Sequence, residues 1–302
     1  MALGFQPSSR PRRGLRVRAF AKINLTLQVL GRRADGYHEL RSIYQTLTFH
    51  DLLEVERAAS GCAIESNLAA LPKGPANLIY RAWRLLRPCG AAGARVHLLK
   101  RIPLASGLGG GSSNAAAMLL ALDRLYRLNL GRACLLELAA RLGADVPLFL
   151  IGGTVLGVGR GSEVYPLPDL ETVAVVLVFP GLEVSTPWAF GELSAALTAR
   201  RRTHKIFSFA AQMGRVYPDL VNDLEPVVGR RYPILPKIRR RLLRLGARKA
   251  RMTGSGPTVY GLFDGRREAL AAARALRRSG LAAVVTATVG RRGVDRLRFG
   301  SS

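Results

Sequence analysis

The sequence predicts an α+β fold in two domains. Its 302 residues are enough for one large or two modest domains with hydrophobic cores. In the second half, strand and helix patterns follow one another as strand, helix and strand, which favours an α/β sandwich. Pro166 and Pro168 interrupt the patterns between the halves. We therefore expect domains at residues 1–167 and 168–302.

Hydrophobic periodicity defines the elements of both halves. In the first half, strand patterns cover residues 17–30, 41–55 and 96–99, and helix patterns cover residues 77–86 and 133–142. In the second half, strand patterns cover residues 173–179, 259–263 and 282–289, and a helix pattern covers residues 266–278. Gly143 follows a helix pattern at the position where glycine commonly ends a helix.

The most informative segment is P-L-A-S-G-L-G-G-G-S-S-N-A-A-A at residues 103–117. Its glycines would weaken a helix or strand, but they suit a backbone that bends tightly beside something bulky. Ser112, Ser113 and Asn114 favour the N-cap of a helix, and strong helix formers follow at residues 115–122. A glycine loop that leads into a helix N-terminus offers free N–H donors and the positive end of the helix dipole. The segment therefore predicts a phosphate site.

Two common phosphate loops do not fit this segment. The P-loop ends in Gly-Lys-Ser/Thr, and no lysine is present here. The dinucleotide-binding fingerprint requires glycine at its sixth position, where Ser112 stands. On composition alone, a glycine-rich turn that caps a buried helix stays open as an alternative.

Charge and cysteine content narrow the class of protein. The formal net charge is +26, and a surface this basic attracts nucleotides, nucleic acids and anionic membranes alike. Three cysteines without C-x-x-C spacing argue against a disulfide framework or a zinc site, so we expect a cytoplasmic protein. The longest uncharged run, residues 102–122, is too rich in Gly, Ser and Asn to span a bilayer. The arginine runs at residues 200–202 and 239–241 are interpreted as solvated helix faces.

Several motifs together resemble the GHMP kinases, the family named for galactokinase, homoserine kinase, mevalonate kinase and phosphomevalonate kinase. In chain order they are A-K-I-N-L at 21–25, R-x-D-G-Y-H-E-L at 33–40, the glycine segment at 103–117, L-G-A-D-V-P-L-F at 142–149, P-G-L-E-V-S-T-P-W-A-F at 180–190, N-D-L-E at 222–225 and M-T-G-S-G-P at 252–257. The first two motifs are typical of one branch of the family, which acts on a cytidine diphosphate derivative.

The resemblance implies an N-terminal domain like ribosomal protein S5, a C-terminal α/β sandwich domain, and a substrate between them. It also implies ATP-dependent phosphorylation, with Mg²⁺, of the 2-hydroxyl of the methylerythritol moiety of that cytidine diphosphate derivative. This reaction belongs to the methylerythritol phosphate route to isopentenyl diphosphate. The expected partners are the substrate and ATP, with no specific nucleic acid and no membrane, in a monomer or homodimer. The sequence does not predict the metal ligands.

The resemblance assigns catalysis to Lys22 and Asp145. A carboxylate can accept the proton of the attacking hydroxyl, so Asp145 is the predicted base. Lys22 pairs with it, keeps it ionised and orients the acceptor oxygen. Local pattern alone would instead make Asp145 a helix or turn cap and Lys22 an outward-facing strand residue. Asn24, on the same strand face as Lys22, is a predicted substrate contact rather than an exposed amide.

Five residues bear on the predicted cytosine site. Tyr37 is expected to stack on the base and His38 to bind its polar edge, although both could be ordinary turn residues. Phe190 is the predicted opposite face, with Trp188 and a role for Phe190 in the core as alternatives. Thr186 is a further predicted substrate contact.

The predicted phosphate-binding residues form two glycine loops. The ATP-binding residues are Pro103, Leu104, Ala105, Ser106, Gly107, Leu108, Gly109, Gly110, Gly111, Ser112 and Ser113. A second loop, Gly254, Ser255 and Gly256, is expected to close over the phosphate region.

Two alternative functions remain. One is a GHMP kinase for another small alcohol, which would need no cytosine site. The other is a basic RNA-binding protein with an S5-like fold, which would need neither the Lys22–Asp145 pair nor the glycine segment.

Overall fold

The structure is a computed structural model and describes residues 14–197 and 220–299. The arginine run at residues 200–202 lies outside the described residues. Two β-sheets, each packed against helices, confirm the α+β class.

The strands are β1 (Leu15–Arg32), β2 (His38–Ala58), β3 (Gly61–Ser66), β4 (Gly93–Leu99), β5 (Thr154–Gly159), β6 (Glu163–Pro166), β7 (Ala174–Phe179), β8 (Val221–Asn222), β9 (Lys249–Met252), β10 (Val259–Phe263) and β11 (Ala282–Ala287). The helices are α1 (Leu78–Leu86), α2 (Gly110–Tyr126), α3 (Arg132–Leu142), α4 (Val146–Ile151), α5 (Thr186–Leu197), α6 (Glu225–Arg231), α7 (Ile234–Arg244), α8 (Arg266–Arg278) and α9 (Arg291–Arg298).

The first sheet is built around the long β1–β2 hairpin. Its strand order is β3-β4-β2-β1-β8, and β5 pairs with the first part of β2 and with β6. The hairpin turns at Asp35-Gly36, as expected of this dipeptide: Gly36 has a φ of +83°, and the Asp35 carboxylate accepts the Tyr37 N–H at 3.1 Å. Strand β8, from the second half of the chain, runs parallel to β1.

The second sheet has the antiparallel order β11-β7-β10-β9. Apolar residues from both sheets form a core between them, to which β1 contributes Ala21, Ile23 and Leu25. The predicted domain boundary at residues 167 and 168 falls between β6 and β7, and it stays a prediction.

Two details of the helices differ from the sequence-based expectation. Helix α2 begins at Gly110 rather than after Asn114, because Gly109 adopts a left-handed φ of +70° and occupies the N-cap itself. Gly143 ends α3 with a φ of 167°, which is extended backbone rather than the left-handed conformation. The segment then enters α4 directly, with Asp145 at the N-cap position.

Candidate functional site

A cavity of about 800 Å³ is bounded by the β1–β2 hairpin, the glycine segment, the residues before α4 and the start of α5. The predicted site residues that line it are Lys22, Asn24, Tyr37, His38, Ala105, Gly107, Gly109, Ser112, Asp145, Thr186, Phe190, Gly254, Ser255 and Gly256. The predicted catalytic pair, parts of both glycine loops and the aromatic residues thus share one cavity.

The other residues predicted to bind ATP do not line this cavity; they are Pro103, Leu104, Ser106, Leu108, Gly110, Gly111 and Ser113. The side chain of Leu108 belongs to the core between the sheets, and Ser113 is buried. Any contact of these two residues with a ligand would therefore come from the backbone.

Lys22 and Asp145 face each other at the base of the cavity. Lys22 Nζ lies 3.5 Å from Asp145 Oδ2, and the side chain of Lys22 is 4% exposed. Lys22 alternates along β1 with the apolar residues of the inter-sheet core, so it points into the cavity and not to solvent. Asp145 makes no side-chain capping bond although it stands at the N-cap of α4, which leaves its carboxylate available in the cavity.

Asn24 belongs to a buried network that joins the two glycine loops. Its Oδ1 accepts from Lys22 Nζ at 2.8 Å, and its Nδ2 donates to Ser42 Oγ at 2.7 Å. Its backbone N–H donates to Thr253 Oγ1 at 3.0 Å. Asn24 is therefore not an exposed amide; its side chain fixes the lysine ammonium before any substrate arrives.

The start of α2 has the geometry of an anion site. The Ser113 N–H donates to the Gly109 carbonyl at 2.8 Å, so the N–H groups that precede it have no partner within the helix. Gly109 and Ser112 line the cavity at this point. The positive end of the helix dipole therefore faces the space beside Asp145.

The two glycine loops pack directly against each other. A Cβ atom at Gly107, whose φ is +76°, would lie 2.6 Å from the Thr253 carbonyl oxygen. Thr186 Oγ1, at the start of α5, lies 2.7 Å from Ser255 Oγ and so joins α5 to the second loop. Only glycine permits this close approach of the two backbones.

The aromatic residues occupy the other end of the cavity. His38 stacks on Phe190 with ring centroids 5.0 Å apart, whereas the alternative aromatic, Trp188, packs against Tyr232. The Arg160 guanidinium lies 3.6 Å from the centre of the Tyr37 ring. Because His38 stacks on Phe190, the residue predicted to bind the polar edge of the base covers one face of the ring predicted to lie opposite Tyr37.

Local environment shifts the pKa of two cavity residues. Partial burial, aided by the Arg32 guanidinium, lowers the pKa of His38 below its usual value. A neutral imidazole at pH 7 can both donate and accept a hydrogen bond. Burial, with a contribution from the Asp145 carboxylate, raises the pKa of Tyr44 and keeps this phenol protonated beneath the Lys22 ammonium.

The sequence analysis did not identify the two arginines of the cavity, nor the buried aspartate that anchors the glycine segment. Arg32 and Arg160 line the cavity without a motif that would single them out. Beneath the glycine segment, Asp51 accepts hydrogen bonds from Lys100 Nζ at 2.5 Å and from Asn114 Nδ2 at 2.9 Å. Lys100 is one of only six lysines in the chain, which was the available signal.

Within residues 14–197 and 220–299 there is no cluster of three or more His, Cys, Asp or Glu side chains that could hold a metal ion. No helix in these ranges is long and apolar enough to cross a membrane.

Comparison with known proteins gives two family matches. Residues 77–153 match the family described as GHMP kinases N terminal domain, and residues 199–282 match GHMP kinases C terminal. The 4-diphosphocytidyl-2-C-methyl-D-erythritol kinase of Acetivibrio thermocellus is 37% identical over 278 residues, covering 90% of this chain and 98% of the relative. The protein of that name from Solibacter usitatus is 45% identical over 260 residues, covering 83% and 81%.

Solved structures agree with these matches. A crystal structure of 4-(cytidine 5'-diphospho)-2C-methyl-D-erythritol kinase is 38% identical, with a TM-score of 0.79 over 91% of this chain and all of that chain. Homoserine kinase from Cytophaga hutchinsonii shares the fold, with a TM-score of 0.68 at 20% identity over 97% of this chain and 99% of that one.

Proposed function

Because this chain belongs to the 4-diphosphocytidyl-2-C-methyl-D-erythritol kinases within the GHMP kinase family, we propose that it phosphorylates the 2-hydroxyl of 4-diphosphocytidyl-2-C-methyl-D-erythritol. It is an ATP-dependent kinase with an alcohol as acceptor, and its products are the 2-phosphate and ADP. Neither alternative, a kinase for another small alcohol or an RNA-binding protein, is favoured by the relatives.

One observation carries the proposal at the level of residues. The Lys22–Asp145 pair lies in a cavity that has the open N-terminus of α2 on one wall and Tyr37 and His38 on another. ATP and the cytidine substrate can therefore bind at separate walls of one cavity, which also contains the Asp145 carboxylate.

The proposed roles follow from this geometry. The Asp145 carboxylate accepts the proton of the 2-hydroxyl as the oxygen forms its bond to the γ-phosphorus and ADP departs. The Lys22 ammonium, held by Asn24, orients the acceptor oxygen and stabilises the charge that develops on it. The N–H groups at the start of α2 bind the phosphates of ATP.

Mg²⁺ fits the donors on the cavity wall. Mg²⁺ in kinases is held by one or two protein oxygens together with phosphates and water, so a dedicated protein cluster is not required. The Ser112 hydroxyl is the group we propose to hold it, together with the phosphates and water. When bound, the ion neutralises phosphate charge. A monomer or homodimer in the cytoplasm, without specific nucleic acid or membrane partners, stays our expectation.

An ADP-release assay tests the reaction. The purified full chain, with ATP and Mg²⁺, should form ADP with 4-diphosphocytidyl-2-C-methyl-D-erythritol and remain at its background rate with mevalonate or homoserine. Equal turnover of mevalonate or homoserine would contradict the proposed substrate.

Tyr37→Ala is expected to raise the KM for the cytidine substrate and not the KM for ATP. Loss of an aromatic platform costs about 1–3 kcal/mol of stacking, or roughly 5- to 150-fold in KM. Tyr37 is 53% exposed, so its removal should not affect folding. Steady-state kinetics with each substrate varied in turn measures the two values. If both KM values rise together, or neither moves, Tyr37 does not bind the base.

Arg32→Gln is expected to raise the KM for the cytidine substrate about tenfold, the lower end of the range for a hydrogen bond to a charged group. Arg32 lines the cavity beside His38, where a substrate diphosphate needs a cation. Its neighbour Arg33 is already paired with Asp35 and Glu39, so Arg33→Gln is the matched control. If the KM for the cytidine substrate rises tenfold in Arg33→Gln and not in Arg32→Gln, Arg33 and not Arg32 binds the substrate diphosphate.

A further inference from the structure

A second cavity, of about 330 Å³, opens between α1 and α3. It is lined by Pro75, Arg81, Arg84, Leu85, Arg141 and Leu142, and we call it the arginine cavity. None of these residues lines the cavity that contains Lys22 and Asp145. The arginine cavity is therefore separate from the proposed ATP and cytidine sites.

Within residues 14–197 and 220–299, the three arginines of this cavity have no charge partner. Among the described residues, the side chains of Arg81, Arg84 and Arg141 make no hydrogen bond, ion pair or ring contact. No carboxylate lines the cavity. Glu137, one helical turn before Arg141, makes no ion pair with it in the part of the chain that the structure describes.

Some exposed arginines elsewhere in the described residues do have acidic neighbours. Arg16 pairs with Glu54, and Arg248 pairs with Asp264. Three guanidinium groups on one cavity therefore concentrate positive charge that no acidic side chain among the described residues balances. Like charges that line one cavity repel each other, so an anion that binds between them relieves the repulsion.

The helix dipole alone does not account for this arrangement. Arg84 and Arg141 lie in the last turns of their helices, where a cation is favourable. Arg81 lies in the middle of α1, away from either end, and yet lines the same cavity.

We propose that the arginine cavity binds a small anion with two or more phosphate groups. The planar guanidinium fork matches phosphate oxygens in pairs, and three guanidinium charges exceed the charge of about −1.5 to −2 that one phosphate carries at pH 7. The volume is at the lower end of the range for small-molecule sites, and Pro75, Leu85 and Leu142 supply an apolar wall for the rest of the ligand.

Equilibrium dialysis of the full chain against inorganic pyrophosphate tests the proposal. The double variant Arg81→Gln/Arg141→Gln should bind one pyrophosphate fewer per chain than the wild type. The control Arg267→Gln/Arg274→Gln removes two exposed arginines of α8 and should bind as many as the wild type. Melting temperatures verify that all three proteins are folded.

Equal stoichiometry in the wild type and in Arg81→Gln/Arg141→Gln would overturn the proposal. Loss of one pyrophosphate in the control as well would show a general effect of charge and would also overturn it. A raised KM for ATP in the double variant, with a single pyrophosphate site in the wild type, would assign the arginines to the ATP site instead. None of these outcomes depends on which alcohol the enzyme phosphorylates.

Discussion

Asp145→Asn is expected to lower kcat by a factor of about 10² or more while ATP binding stays largely intact. The carboxylate lies 3.5 Å from Lys22 Nζ and makes no helix-capping bond. An asparagine keeps the size of the side chain but cannot take up the proton of the acceptor hydroxyl. Turnover is measured by ADP formation, and binding by calorimetry with a non-hydrolysable ATP analogue.

Asp35→Asn is the matched control for this variant. Asp35 is a second aspartate near the cavity with similar side-chain exposure, 41% against 34% for Asp145, but it pairs with Arg33 and not with Lys22. An asparagine there can still accept the Tyr37 N–H, so kcat should be retained. If Asp145→Asn keeps most of its turnover, or if both variants lose it equally, Asp145 is not the base.

The proximity of Lys22 and Asp145 could be predicted from the specific motifs that contain them, whereas their catalytic role stays a prediction. Lys22 and Asn24 alternate with buried Ala21 and Ile23 along β1, and the structure keeps this alternation. Local rules alone favoured the wrong interpretation of Lys22, an outward-facing residue. The face of β1 that carries Lys22 is buried by tertiary contacts, and the local sequence pattern does not contain that information.

The start of α2 could not be predicted from capping preferences. Ser112, Ser113 and Asn114 favour the N-cap, but Gly109 takes that position because its backbone tolerates a positive φ. Asn114 instead lies within α2, past its first turn, and its side-chain amide donates to the Asp51 carboxylate. A tertiary hydrogen bond to a buried carboxylate thus overrides a local preference.

The position of Arg160 depends on the register of the first sheet. Strand β5 pairs with β2 so that Gly159 lies opposite Leu40, and this places the following residue beside the hairpin turn. Arg160 therefore reaches the Tyr37 ring across a sequence distance that no short motif covers. Strand pairing of this kind cannot be inferred from the pattern of either strand alone.

Asp51→Ala is expected to destabilise the protein by about 3–5 kcal/mol, as measured by urea unfolding. The Asp51 side chain is fully buried and binds the Nζ of Lys100, whose side chain is 3% exposed. Removal of the carboxylate leaves the ammonium without a counter-charge in the interior. Burial already lowers the pKa of Lys100, and Asp51 is the group that opposes this shift.

Asp123→Ala is a control on α2, the helix that Asp51 binds through Asn114. Asp123 is a half-buried residue whose carboxylate accepts the Leu130 N–H, so its loss should cost about 1 kcal/mol. The double variant Asp51→Leu/Lys100→Met should be more stable than Asp51→Ala, because it leaves no unpaired charge. Comparable stability of Asp51→Ala and Asp123→Ala would contradict the buried ion pair.

Asp51 also contacts residues on both sides of the loop glycines, residues 107–111, so its loss should affect the ATP site. Its Oδ1 accepts the N–H groups of Arg101 and Ile102 at 2.7 and 2.8 Å, just before the segment, and its Oδ2 accepts from Asn114, which follows the glycines within the segment. Without the carboxylate the start of α2 is no longer fixed against β4. In the folded fraction of the Asp51→Ala protein, the KM for ATP should therefore rise more than the KM for the cytidine substrate. The residues predicted to bind the cytosine base, Tyr37 and His38, lie at the β1–β2 hairpin and make no contact with Asp51 among the described interactions. An equal rise in both KM values would mean that Asp51 supports the fold alone and not the geometry of the phosphate loop.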